Sequence, residues 1–92
     1  APGTTTLAFV QVPNEALASP RHGWIWCGQA QHSAGPAIDL GDQPQAYAAR
    51  LYAALYQLDA LGLERLYIQL PPQHDAWAAV HDRLARASQR LD

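Results

Sequence analysis

A length of 92 residues holds one hydrophobic core and excludes a second domain, because a chain of this size buries only about two-thirds of its unfolded surface. An apolar share of 49% with 15% charged residues excludes an intrinsically disordered segment. A formal net charge of −2, with all six basic residues Arg, argues against an electrostatic nucleic-acid binder, which draws its affinity from a dense basic patch.

From the N-terminus, residues 7–12 form an apolar, partly β-branched run closed by Pro13, and this predicts a first strand. Asn14 is placed to cap a short helical turn that Pro20 stops. In residues 23–28, alternation puts Trp24 and Trp26 on one face of a second strand and Ile25 and Cys27 on the other. Residues 36–40 are short enough for a third strand or extended chain. Asp42 as N-cap, Pro44 in the first turn and Gln45 three residues on predict a helix start. Tyr47, Leu51, Leu55, Leu58 and Leu61 then recur at helical spacing until Gly62 supplies a left-handed stop.

Residues 63–70 switch to period two, with Leu66, Ile68 and Leu70 opposite Arg65, Tyr67 and Gln69, and Pro71-Pro72 ends that strand. Residues 75–90 predict a last helix whose buried face carries Trp77, Val80, Leu84 and Leu91, with Ala87 between the leucines. Strands alternating with helices through short loops predict an α/β fold: a small Rossmann-like, three-layer domain with a mostly parallel sheet of about four strands and helices packed on it. Residues 1–6 read as a linker remnant and 7–92 as the single domain. The chain begins at Ala1 rather than Met, as expected of a fragment or a processed product.

Chemistry is harder to find. His74-Asp75 and His81-Asp82 stand seven residues apart, about 10 Å along a helix, too far for one ion, and His22 and His32 sit in different loops without a ligand pattern. Cys27 has no second cysteine for a disulfide and reads as a small buried hydrophobe in a reducing, cytoplasmic protein. The glycines form no phosphate loop, and Ser19, Ser33 and Ser88 occupy no nucleophile elbow. His22, His32 and Asp39 fall in loops where a ligand at the strand ends is conceivable. Tyr52 and Tyr56, one turn apart, read as helix packing rather than a stacking platform.

Arg83, Arg86 and Arg90 form an i, i+3, i+7 stripe on the last helix. The stripe suits either an acidic partner or a solvated face in which Asp82 reaches Arg86. No apolar run approaches the roughly 20 residues that cross a bilayer, so no membrane partner is expected.

The second half carries a resemblance. Tyr47-Ala48, Leu51-Tyr52, Leu55, Leu58-Asp59, Gly62, Ile68, Pro71-Pro72, Ala79-Val80 and residues 82–87 (Asp-Arg-Leu-Ala-Arg-Ala) together resemble the C-terminal domain of long-form threonylcarbamoyl-AMP synthases, over residues 42–88. The resemblance implies a parent enzyme that condenses threonine, bicarbonate and ATP into the donor that modifies an adenosine beside the tRNA anticodon. Its ATP and divalent metal belong to a separate catalytic domain. This chain is therefore expected to hold no catalytic, cofactor-binding or metal-binding residue and to serve as an accessory domain, partnering the catalytic domain in cis or in trans, with Arg83, Arg86 and Arg90 as the partner surface. A free-standing protein-interaction module is the other expectation. Tyr56 stands where the family has Arg and Gln69 where it has Glu. If those residues pair in the family, losing both charges together is energetically mild.

Overall fold

A computed structural model describes residues 3–91; Ala1 and Pro2 of the expected linker remnant, and Asp92, lie outside them. Five strands form one parallel sheet in the order β3-β2-β4-β1-β5: β1 is Thr5–Phe9, β2 His22–Trp26, β3 Ala37–Asp39, β4 Arg65–Gln69 and β5 Gln89–Arg90. Helix α1 spans Pro44–Asp59 and α2 spans Ala78–Ala87. The small Rossmann-like α/β class is as the sequence predicts, with one strand beyond the four expected. The first strand starts at Thr5, inside the segment assigned to the linker, and stops at Phe9 rather than Val12.

Both helices lie on one face. Ile25, Leu66 and Ile68 point from the sheet into a core closed by Tyr47, Leu51, Ala54, Leu55 and Leu58 of α1 and by Trp77, Val80 and Leu84. The other face carries an aromatic cluster of Phe9, Trp24, Trp26 and Tyr67. Among the described residues no α-helix covers that cluster; the connection from β1 to β2, including the 3₁₀ turn Asn14–Ala18, supplies Val12, Ala16 and Leu17 over it. Tyr67 sits beside Trp24 in the β2–β4 register. Their rings stack at 4.7 Å and Phe9 meets both indoles edge-on at 5.7 and 5.8 Å, the geometries that ring quadrupoles favour.

Helix boundaries depart from the capping signals. The 3₁₀ turn begins at Asn14 itself, with Pro13 in the cap position and no side-chain cap. For α1 the cap position is Gln43, not Asp42, and Pro44 is the first helical residue. The Asp42 carboxylate accepts from the Gln43 amide at 3.1 Å instead of from the helix backbone, so no capping box with Gln45 forms. Gly62 does adopt the left-handed conformation, φ 68°, as the stop at the end of α1 requires. Leu61 lies past the helix end and is exposed.

The greatest departure is at the C-terminus. A 3₁₀ turn over Asp75–Trp77, whose His74 Nδ1 accepts from the Ala76 N–H at 3.2 Å, precedes α2, and α2 stops at Ala87. Ser88 ends it: the Oγ–H donates to the Leu84 carbonyl at 2.6 Å while the backbone turns extended, φ −145° and ψ 165°. The chain then pairs with β1 through Leu7↔Gln89 and Ala8↔Arg90. Arg90 therefore lies in the edge strand, and Leu91, expected on the buried helix face, follows it and is exposed. The expected burial of Trp77, Val80 and Leu84 holds.

Candidate functional site

A concavity lies where α1 and α2 meet. Tyr52, Leu55, Tyr56 and Asp59 recur at i, i+3, i+4 and i+7 on one face of α1, and Arg83, Arg86 and Ala87 face them from α2, around a groove of about 450 Å³. Leu55 and Ala87 form its apolar floor against the core. Tyr52 and Tyr56 are 58% and 80% exposed. They do not serve as internal helix packing, because the side of α1 that meets the sheet is taken by Tyr47, Leu51, Ala54 and Leu58.

Charges around the groove are unevenly matched. Asp82 and Arg86, one turn apart on α2, form an exposed ion pair at 2.8 Å, as their spacing predicts. Asp59 Oδ1 accepts from the Thr4 N–H at 2.8 Å and from the Thr4 hydroxyl at 2.6 Å. These hydrogen bonds hold the Asp59 carboxyl below the usual aspartate range. Arg83 is half-buried and has no hydrogen-bond or ion-pair partner among the described residues. Of the three arginines expected to share a stripe, Arg83 and Arg86 stand together in the groove. Arg90 lies elsewhere, on β5, lining a separate hollow with Gln73 and His81.

The strand ends give no second constellation. His22 opens β2 while Asp39 closes β3, and because these neighbouring strands run parallel the two sit at opposite ends of them. His22 Nδ1–H donates to the Ala16 carbonyl at 3.2 Å, and His81 Nε2–H to the Pro72 carbonyl at 3.0 Å. Asp39 Oδ1 accepts from the backbone N–H groups of Gly28 and Gly41 at 2.9 and 2.8 Å. The Gln69 side-chain Oε1 accepts from the Cys27 N–H at 2.7 Å, whereas Tyr56 projects from the exposed side of α1. Each neutral replacement thus has a different neighbourhood. Burial, then the charges of Asp42 and Asp39, push the Cys27 thiol up to about 11, which keeps it protonated and a poor nucleophile near neutral pH. Among the described residues no three His, Cys, Asp or Glu side chains are grouped to hold a metal ion, and no helix is long and apolar enough to cross a membrane.

Against protein-family models, residues 3–89 match the family described as threonylcarbamoyl-AMP synthase, C-terminal domain. The chain belongs to that family. The match spans nearly the whole chain, so the first-half elements, including β1 and the aromatic sheet face, are part of this C-terminal domain family as much as the helix motifs are. No curated protein and no solved structure matches the chain. Within the threonylcarbamoyl-AMP synthase C-terminal domain, the signal that sequence reading missed is Tyr52 and Tyr56. Their i+4 spacing showed a shared helix face, but not that α2 leaves this face open.

Proposed function

We propose that this chain is a non-catalytic accessory domain that docks on a threonylcarbamoyl-AMP synthase catalytic domain and supports or regulates its part in threonylcarbamoyladenosine modification of tRNA. One observation carries the reading beyond family membership: the α1–α2 groove gathers two exposed tyrosines and two arginines, the residue types that dominate binding energy at protein interfaces. Thr4 is tied by Asp59 to the rim of this groove, so the chain entering β1 lies beside it. A domain attached there is already near the surface it would cover, and a short tether raises the effective concentration of a weak contact.

In this reading ATP and the divalent metal belong to the catalytic domain. The strand-end residues of this chain do not fit them: Asp39 is committed to two backbone N–H groups, and the neutral Cys27 thiol is no metal ligand without deprotonation. No step of the reaction is assigned to this chain.

The test is a synthesis assay with the cognate catalytic domain, with and without this chain in cis. Its removal is expected to lower threonylcarbamoyl-AMP formation, ATP affinity or the melting temperature of the catalytic domain. All three unchanged would reject the role and favour an independent interaction module.

A further inference from the structure

One charged side chain lining the groove lacks a partner among the described residues, and it is an arginine. Asp59, its only carboxylate, is engaged by Thr4, and the Arg86 guanidinium is engaged by Asp82. Arg83 lies between them with no partner among the described residues, half-buried beside Tyr52, Leu55 and Tyr56. A guanidinium without a hydrogen-bond or ion-pair partner can receive a planar anion, because its N–H fork matches a carboxylate in two parallel hydrogen bonds. The flanking tyrosines add apolar ring area and hydroxyl donors that a polypeptide's side chains can use.

We infer that the α1–α2 groove binds an Asp- or Glu-bearing segment of the synthase catalytic domain, with its carboxylate on Arg83 and the adjoining side chain between Tyr52 and Tyr56. The inference rests on the docking role proposed above and adds the chemistry of the contact. The single unpartnered guanidinium of Arg83 favours a protein carboxylate over RNA. Phosphate-backbone affinity comes from many cations acting together, whereas this groove has one unpartnered Arg, with the ionised Asp59 and Asp82 close by, on a chain of net charge −2. A single fixed carboxylate meets one guanidinium without bringing the run of charges that those aspartates would repel.

The experiment titrates the cognate catalytic domain into this chain, and separately a synthetic tRNA anticodon stem-loop, at low and high salt. The chains compared are wild type, Arg83→Gln, Arg83→Glu, Tyr56→Ala and Arg50→Glu, the last an exposed α1 residue outside the groove. Melting curves establish that each variant is folded. Binding of the catalytic domain should weaken about tenfold or more in both Arg83 variants, weaken in Tyr56→Ala, fall with salt in the wild type, and stay unchanged in Arg50→Glu. Wild-type affinity in the Arg83 and Tyr56 variants would overturn the groove while leaving the docking role intact. No binding by any chain, together with unchanged synthesis on removal of the domain, would overturn both. Binding of the stem-loop lost on Arg83 substitution, or self-association lost on the same substitution, would assign the groove to RNA or to a second copy and overturn the carboxylate.

Discussion

Asp59 and Thr4, 55 residues apart in sequence, are joined by two hydrogen bonds to one carboxylate oxygen, at 2.8 Å from the N–H and 2.6 Å from the hydroxyl. This contact fastens the start of β1 to the last turn of α1. Because the bonds favour the charged carboxylate and lower its pKa, their stabilisation is full above the unfolded aspartate pKa of about 4 and lost as pH falls through the lower folded value. Asp59→Asn should therefore melt below wild type at pH 7, with the gap closing on acidification. A gap that persists or widens toward pH 2 would contradict this account of the contact.

The two faces of α2 should separate cleanly. Leu84 is fully buried against Val80 and the sheet, so Leu84→Ala should cost about 2–5 kcal/mol, a large share of a small domain's stability. Arg86 forms an exposed i, i+4 pair with Asp82, and Arg86→Ala should cost under about 1 kcal/mol. Urea denaturation of the two variants checks the order, and a larger loss in the Arg variant would show that the stripe is structural.

Tyr47 is wholly buried, its hydroxyl has no protein hydrogen-bond partner among the described residues, and its ring meets Trp77 edge-on at 5.4 Å. Removing an unpaired buried hydroxyl while keeping the ring should be neutral or stabilising, by up to about 1–3 kcal/mol. Tyr47→Phe should thus melt at or above wild type. A clear loss would reveal a partner for the hydroxyl, such as a bound water.

Cys27 sets an alkaline limit. Its thiol is raised to about 11 in the fold, against about 8.5 in an unfolded chain, so the unfolded state releases its proton first. Stability from the neutral thiol is complete below the unfolded pKa and declines as pH rises through the folded value. Cys27→Ala should flatten the stability profile between about pH 8.5 and 11, as followed by thermal melts. An unchanged slope there would contradict the shift.

Gly35 passes so close to the His22 carbonyl that a Cβ would stand 1.8 Å from the oxygen. Gly35→Ala must push apart two backbone segments, at a cost of about 1–3 kcal/mol or more. Wild-type stability by urea denaturation would mean that the loop yields freely.

How much of this was legible in the sequence depended on where each element gets its stability. Trp24, Ile25 and Trp26 announced a strand covered on both faces because alternation is imposed by the pleat, and Tyr47, Leu51, Leu55 and Leu58 announced α1 because burial enforces its period. The β5 strand was not legible. Gln89 and Arg90 are exposed and join the sheet by pairing with Leu7 and Ala8, while Ser88 ends α2 without the Gly or Pro that marks a helix stop. The groove was half legible: Arg83 and Arg86 came from spacing, but the open face at Tyr52 and Tyr56 depends on how far α2 reaches. The tie from Asp59 to Thr4 leaves no local trace at all.

The most direct test of the docking claim is hydrogen exchange of this chain with and without its cognate catalytic domain. Docking at the groove predicts slowed exchange over residues 52–59 and 83–87, with the aromatic sheet face unaffected. Exchange unchanged throughout the chain, at catalytic-domain concentrations that saturate a micromolar interaction, would contradict it.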